Sequence, residues 1–452
     1  MRKLLILLYT LLFNTSVIAQ TGPRTSISTS IDNLLSTKYV LNAPGISVLV
    51  AKDGNVIYNK AFGSANLELN VPMKADMLFN LGSITKQFTA VAILQLMEQG
   101  RLSLQDSIQK YIPNFSSKPH KISIENLLTH TSGLKDYLQM NYSDPYMIRR
   151  DFEPKEIIEY FKNELLEFNP GTRYMYSNSN YILLGYIIEI ITGKTYENYL
   201  QENIFNVLGL KNTYCDNSSR IFPNRTYGYK KSTNYEKADY WGASIPYAAG
   251  TLISNTEDLL IWQNGLLDGK LLKKQTLEKA FMPFSLNDGT KINYGYGWMI
   301  NTINGSLGIS HGGAITGYRT IEVYYPEQGI YIVVLGNCDC TKTEELFTAI
   351  SGIVIGKSSQ TEFKQTDVVL NKYIGVYALT SNSKRKIKIA KENGSLVAYI
   401  SEKEFYPLVF QSDLKFEFKD IYDAKCEFIV QNDKVLKFIV NQNGIFNWKK
   451  IE

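Results

Sequence analysis

Histidine is scarce in this chain. Only His120, His130 and His311 occur among 452 residues, and no two stand at the spacing of paired ligands. A zinc hydrolase is therefore disfavoured, and no metal or other cofactor is expected. Cysteine is nearly as rare: Cys215, Cys338, Cys340 and Cys426 show no metal-ligand spacing. Cys338 and Cys340 are too close in sequence to bridge comfortably, so a disulfide framework is not expected, although one bridge is open to a chain in an oxidising compartment. Charge of one sign is also lacking. The 48 Lys and Arg face 43 Asp and Glu, a formal net charge of +5, and Arg2 and Lys3 of that excess lie at the amino terminus. This is no electrostatic footprint for nucleic acid. The dense run Lys384-Arg385-Lys386 falls in an alternating stretch and reads as a solvated face. Long apolar runs are missing as well. Leu4 to Phe13 falls well short of the roughly 20 residues that span a bilayer. Tyr181 to Ile191 is short, carries Glu189 and reads as a core helix.

What is present suits an exported globular protein. Arg2 and Lys3, the apolar run after them and Val17-Ile18-Ala19 have the form of a secretory signal over residues 1–19. No cysteine follows the run, so neither a lipid anchor nor any other stable membrane anchor is expected. The mature chain is expected to be periplasmic or secreted. Hydrophobic residues make up 44% and charged residues 20%, which fits a soluble protein, and the length suggests two or three domains.

The order of patterns fixes an architecture. Gly45 to Gly63 alternates around Asp53-Gly54, a hairpin signal. Ser83 to Gln99 has a broad apolar face and stops at Gly100. Helical and turn patterns fill 101–280, with Tyr181–Thr192 and Tyr196–Val207 the clearest helices. Thr320–Tyr325 and Ile330–Leu335 then flank Pro326-Glu327-Gln328-Gly329 as a second hairpin, and Glu344–Ile355 reads as helix. The early hairpin must meet the late one in one antiparallel sheet, giving an α/β sandwich with a helical insertion over 24–356. Residues 357–367 are polar and lack periodicity, like a linker. Residues 368–452 read as β only, with strands at Lys386–Ala390, Leu396–Ile400, Lys415–Lys419, Glu427–Val430 and Leu436–Val440. They make a small antiparallel sheet or barrel.

A serine hydrolase needs a nucleophile, a base and donors for an oxyanion. Ser83 with Lys86 offers the first two, since i, i+3 spacing at a helix start puts both side chains on one face. Ser107, Ser132, Ser381, Ser383 and Ser412 also precede a Lys by three residues, but only Ser83 opens a strongly amphipathic helix. Tyr176-Ser177-Asn178 places a phenol and an amide just before a helix. Tyr196-Glu197-Asn198 has the same form but lies inside a helical pattern. His311-Gly312-Gly313 lies between two strand patterns, where glycine would let a substrate backbone come close.

In this order Ser83-x-x-Lys86, Tyr176-x-Asn178 and His311-x-Gly313 resemble the three motifs of serine β-lactamases and penicillin-binding proteins. The chain looks most similar to class C β-lactamases, DD-carboxypeptidases, D-aminopeptidases and related esterases. Leu127–Leu134 (LLTHTSGL), Ala248-Ala249-Gly250 and Tyr294–Trp298 (YGYGW) add to the likeness, which covers about residues 30 to 356. The resemblance implies a β-lactamase/DD-peptidase-like antiparallel sheet flanked by helices, with a helical subdomain. The carboxyl-terminal all-β part resembles lipocalin-like domains. It also implies that Ser83 is acylated, and that Lys86 and Tyr176 handle its proton, either of them as base. Asn178 would orient substrate and Lys86, His311 and Gly313 would line the substrate, and the N–H groups of Ser83 and Ala314 would hold the oxyanion. The expected partner is a small-molecule or peptide substrate, including peptidoglycan-derived peptides.

The chain departs from the β-lactamase pattern at His311, where many β-lactamases carry Lys to attract a substrate carboxylate. An ordinary imidazole is mostly neutral at pH 7, and acidification toward pH 6 is expected to charge it. Two rival readings fall away. Gly308-Ile309-Ser310-His311-Gly312 matches a nucleophile elbow, but a strand and not a helix follows, and no histidine lies beyond His311. His130 with Ser132 reads as structural, in a turn of capping residues. A protein that acylates without turnover, as a sensor or binding module, is the alternative.

Overall fold

The computed structural model describes residues 26–115, 120–140, 149–356, 365–392, 394–401, 404–419, 424–442 and 444–452. The expected signal segment 1–19 and most of the expected linker lie outside the described residues.

Two hairpins far apart in sequence build the main sheet. The first joins β1 (Ile46–Lys52) to β2 (Asn55–Phe62). After the helices α1 (Ile27–Ser36), α2 (Thr85–Glu98), α3 (Asn178–Thr192) and α4 (Thr256–Leu267) come β3 (Met299–Ile303), β4 (Ser306–Ile315), β5 (Tyr318–Tyr325) and β6 (Ile330–Gly336). The sheet order is β3-β4-β5-β6-β1-β2. The β1–β6 pairing is antiparallel, with Ile46 opposite Gly336 and Lys52 opposite Ile330. The early and late hairpins do meet.

Both faces of this sheet are covered, which explains why its central strands are apolar at nearly every position. Side chains alternate between the faces. Val48, Val50, Ile332 and Val334 pack with Ile31, Leu35, Leu346 and Phe347 from α1 and from α5 (Thr343–Ile355). Leu49, Ala51, Val333 and Leu335 join the larger core on the other face, with Phe88 of α2 and Trp262 of α4. There Phe88 and Trp262 stack at 3.8 Å between ring centroids. This core reaches through the helical insertion to Ile182, Leu183 and Ile187 of α3, so α2 is buried on almost every side.

The carboxyl-terminal part is a closed eight-stranded barrel in up-and-down order. Its strands are β7 (Gly375–Leu379), β8 (Asn382–Glu392), β9 (Ser395–Tyr399), β10 (Phe405–Phe410), β11 (Lys415–Phe418), β12 (Lys425–Gln431), β13 (Lys434–Asn441) and β14 (Ile445–Lys450). It closes where Tyr377 pairs with Lys450. The expectation of strands alone is corrected: α6 (Asp367–Tyr373) opens the unit and starts inside the expected linker. Leu370 and Tyr373 of α6 enter the barrel core, where Tyr373 stacks on Phe428 at 4.1 Å.

A second correction concerns cysteine. Cys338 and Cys340 form a disulfide, because the bend after β6 brings their Cα atoms to 5.0 Å, inside the usual range for a bridge. Cys215 and Cys426 are free and buried.

Candidate active site

Ser83 sits in a single 3-10 turn, Gly82–Ile84, that runs directly into α2. Gly82 has φ +56°, and a Cβ there would come within 3.0 Å of the Ala314 nitrogen. Only glycine lets the turn lie so close to β4. Gly313 serves the same contact, since a side chain there would overlap the Leu81 carbonyl. The close approach that Gly313 permits here is that of the loop carrying Ser83. Thr320 ties the same loop to β5, donating to Leu81 O at 2.7 Å. The turn is thus clamped between sheet and helix, and Ser83 remains partly exposed while its neighbours Gly82 and Ile84 are buried.

One turn on, Lys86 is 0% exposed. Its Nζ lies 3.0 Å from Ser83 Oγ, 2.9 Å from Asn178 Oδ1 and 2.8 Å from Ala249 O. The last two are obligate acceptors, and each takes one N–H. A neutral amine satisfies both with its two protons and turns its lone pair to the Ser83 hydroxyl. Burial lowers the Lys86 pKa to about 7, against the opposing pull of Asp136. Desolvation also wins at Asp136, which is raised although Lys86 and three hydrogen-bond donors favour its charged form.

Asp136 was not singled out in the sequence, and it completes this cluster. Its Oδ2 accepts from Asn178 Nδ2 at 2.9 Å, and its Oδ1 accepts from Leu138 N at 3.1 Å. Its only sequence signal is its place two residues after the LLTHTSGL stretch.

Tyr176 lies on the other flank of Ser83. Lys86 Nζ is 4.8 Å from its ring centroid. Its hydroxyl is buried and makes no hydrogen bond of regular geometry, though Ser83 is near enough to favour the phenolate. Burial is the larger effect and pushes the phenol well above its ordinary range. The ring rests on His130 at 4.2 Å between centroids. His130 adopts φ +55°, and its Nδ1 accepts from Ser177 N at 3.2 Å and faces Asn180 Nδ2 at 3.0 Å. Ser132 donates to Asn180 Oδ1 at 2.5 Å and does not pair with His130. These bonds make His130 a shelf for the Tyr176 loop.

His311 comes to the same site, 6.2 Å from Tyr176 between ring centroids, and is 1% exposed. Its Nδ1 lies 2.7 Å from Gly312 O, which can only accept, so Nδ1 carries the proton. Nε2 then accepts from the Tyr294 hydroxyl at 3.0 Å. Burial, with Lys86 nearby, lowers its pKa to about 3. The expected charging of His311 near pH 6 is therefore corrected. Ala314, three residues on, is exposed beside Gly82.

All seven residues expected at the site, Ser83, Lys86, Tyr176, Asn178, His311, Gly313 and Ala314, thus converge from the 3-10 turn and first turn of α2, the segment that enters α3, and β4. The profile of the Beta-lactamase family matches residues 34–350, most of the chain. The chain belongs to the Beta-lactamase family. Members are serine hydrolases, and so is this chain. Penicillin-binding protein 4* of Bacillus subtilis (strain 168) is 29% identical over 88% of this chain and 93% of its own length. A candidate D-alanyl-D-alanine carboxypeptidase of Escherichia coli (strain K12) is also 29% identical, over 68% of this chain and 81% of its own. Among solved structures, the octameric penicillin-binding protein homologue from Pyrococcus abyssi aligns over 89% of this chain and 96% of its own, with TM-score 0.63 and 24% identity. D-amino acid amidase from Ochrobactrum anthropi SV3, complexed with D-phenylalanine, covers 73% of this chain and 98% of its own at TM-score 0.63 and 24% identity. These likenesses extend the Beta-lactamase fold to a family member with an added barrel. Among the described residues no helix is long and apolar enough to cross a membrane.

Proposed function

We propose that this family member cleaves amide or ester bonds of D-amino-acid-containing peptides by acyl transfer to Ser83. Neutral Lys86 takes the Ser83 proton as the oxygen attacks the carbonyl. The N–H groups of Ser83 and Ala314 receive the oxyanion, and Asn178 orients the substrate amide. Tyr176, as a neutral phenol, passes the proton to the leaving group. Water then attacks the ester, and the same groups act in reverse. The observation that carries this reading is the set of three bonds at Lys86 Nζ, which leaves a neutral amine no acceptor role except toward Ser83.

The substrate class follows from two features. The sequence relatives are named as a penicillin-binding protein and a candidate D-alanyl-D-alanine carboxypeptidase. The neutral His311 offers a substrate carboxylate no fixed charge, which argues against efficient β-lactam hydrolysis. Peptidoglycan-derived peptides are the natural candidates, met in the periplasm or outside the cell after removal of residues 1–19. The test is turnover of D-alanyl peptides, D-amino-acid amides, simple esters and a chromogenic β-lactam, with mass spectrometry of the acylated chain. Turnover of D-configured amides or esters, lost in Ser83→Ala, supports the reading. Stoichiometric labelling without turnover would replace it with a sensor.

A further inference from the structure

A cavity of about 190 Å³ opens between the loop leading to Tyr176 and the barrel. Its floor is apolar. Leu286, Ile292 and Met299 belong to one small cluster with Tyr174, Tyr176 and Tyr294, so the floor continues the aromatic wall of the active site. The barrel closes the other side through Lys425 of β12 and the end of β13. Its last turn comes close as well, since a Cβ on Gly444 would lie 3.3 Å from Tyr174 O.

The rim is cationic. Arg173 and Lys291 come from the hydrolase part and Lys425 from the barrel. Lys425 Nζ is tethered across the boundary by Asn301 Oδ1 at 3.3 Å. Among the described residues Asp288 is the one carboxylate of the rim, and it turns back on its own loop to accept from Thr290 N at 2.9 Å. None of the three cations forms an ion pair among the described residues. Three positive charges with no ion pair among the described residues, beside an apolar floor, suit an anionic ligand that also carries hydrocarbon.

We infer that this cleft is a binding subsite for a carboxylate-bearing arm of the peptide substrate, with the barrel supplying part of the recognition. The inference rests on the acyl-transfer reading above. It gives the barrel a task and supplies the fixed positive charge that His311 lacks.

The test compares thioesters of N-acetyl-D-alanyl peptides in matched pairs. Each pair carries D-glutamate or D-glutamine at one, two or three residues before the D-alanine, or mercaptoacetate or mercaptoacetamide as the leaving group. The quantity read is the acid-to-amide ratio of kcat/KM, in the full chain and in Lys425→Glu, Lys291→Glu and Arg173→Glu. At least one placement should favour the acid. Charge reversal at the rim should lower that ratio about fivefold or more, and added salt should lower it in the unmutated chain. Ratios unmoved by any reversal and by salt would overturn the subsite. Hydrolysis that persists in Ser83→Ala, or no hydrolysis of any thioester, would instead count against the acyl-transfer reading. In that case the same peptides as dansyl amides, bound to full-length Ser83→Ala by fluorescence anisotropy, read the subsite without turnover. Equal affinity for acid and amide there overturns it too.

Discussion

Asp136 holds Asn178 by its amide nitrogen, at 2.9 Å, and so turns the amide oxygen toward Lys86. Without that anchor the amide could rotate and present N–H to Lys86, removing an acceptor that fixes the amine. The Asp136 charge also raises the Lys86 pKa against the desolvation that lowers it. Asp136→Asn should therefore move the acid limb of kcat/KM to lower pH and reduce kcat about tenfold through lost orientation. A packing role alone would weaken activity or stability and leave the limb in place. The pH profile separates the two.

Lys86 itself sets the second expectation. If it is the base, activity requires its neutral form. With a pKa of about 7, kcat/KM should rise about tenfold per pH unit below neutrality and level off above it. Lys86→Arg keeps the charge but cannot deprotonate, and should lower the acylation rate about 10² or more, as should Lys86→Ala. Tyr176→Phe should be similarly slow, and the unmutated enzyme should show no phenolate limb near neutrality, because burial holds the Tyr176 phenol protonated. A Lys86→Arg enzyme with an unchanged acylation rate would remove Lys86 from proton transfer.

A third expectation concerns stability. Glu322 of β5 is 1% exposed, and Gln87 and Tyr331 both donate to its carboxylate. Burial outweighs those bonds and raises its pKa from 4.5 to about 7. The folded state therefore binds this proton more tightly than the unfolded state. The stabilisation is full below pH 4.5 and is lost as pH rises through 7, a change of about 3 kcal/mol. His130 and His311 titrate the other way and are common to both proteins compared. Denaturant unfolding of unmutated chain and Glu322→Gln between pH 5 and 8 isolates the effect. The unmutated chain should lose stability across that window relative to the variant, and parallel curves would refute it.

The parts of this molecule legible in its sequence are those written locally. Ser83 and Lys86 are one helical turn apart, so their meeting is guaranteed once α2 forms. The two hairpins of the main sheet carry their own turn signals, and antiparallel pairing of β1 with β6 follows from edges that must be covered. Asp136 was invisible because its bond to Asn178 exists only after the helical insertion folds back on α3. Neutral His311 at pH 7 is legible, but its failure to charge toward pH 6 is not, for a related reason: an imidazole's pKa depends on burial, which no spacing reports. In the barrel, β7, β10 and β14 were missed. Phe405–Phe410 reads FYPLVF, nearly all apolar with a proline, and lacks the alternation that marked its neighbours. The seven residues of α6 are too few to show a helical period.

His311 carries the last expectation. Both of its ring nitrogens are engaged, Nδ1–H with Gly312 O and Nε2 with the Tyr294 hydroxyl. Its pKa of about 3 keeps it neutral throughout the working range. It therefore cannot act as a pH-gated receptor for a substrate carboxylate. The ratio of kcat/KM for an acidic substrate to that for its neutral amide should be flat from pH 7.5 to 6, once losses at Lys86, common to both, cancel. His311→Lys places an ammonium where the imidazole accepted from Tyr294. An ammonium has no acceptor, so the buried Tyr294 hydroxyl can no longer donate there and keeps only its contact with Tyr181, while the new charge loses water. The variant should be less stable by about 1–3 kcal/mol, and the Lys86 pKa should fall further beside a second cation. Thermal unfolding reads the first effect, and a shift of the acid limb to lower pH reads the second. A His311→Lys enzyme of unchanged stability that gains about tenfold on acidic substrates would mean that the side chain reaches the substrate after all, and that the Tyr294 bond is dispensable.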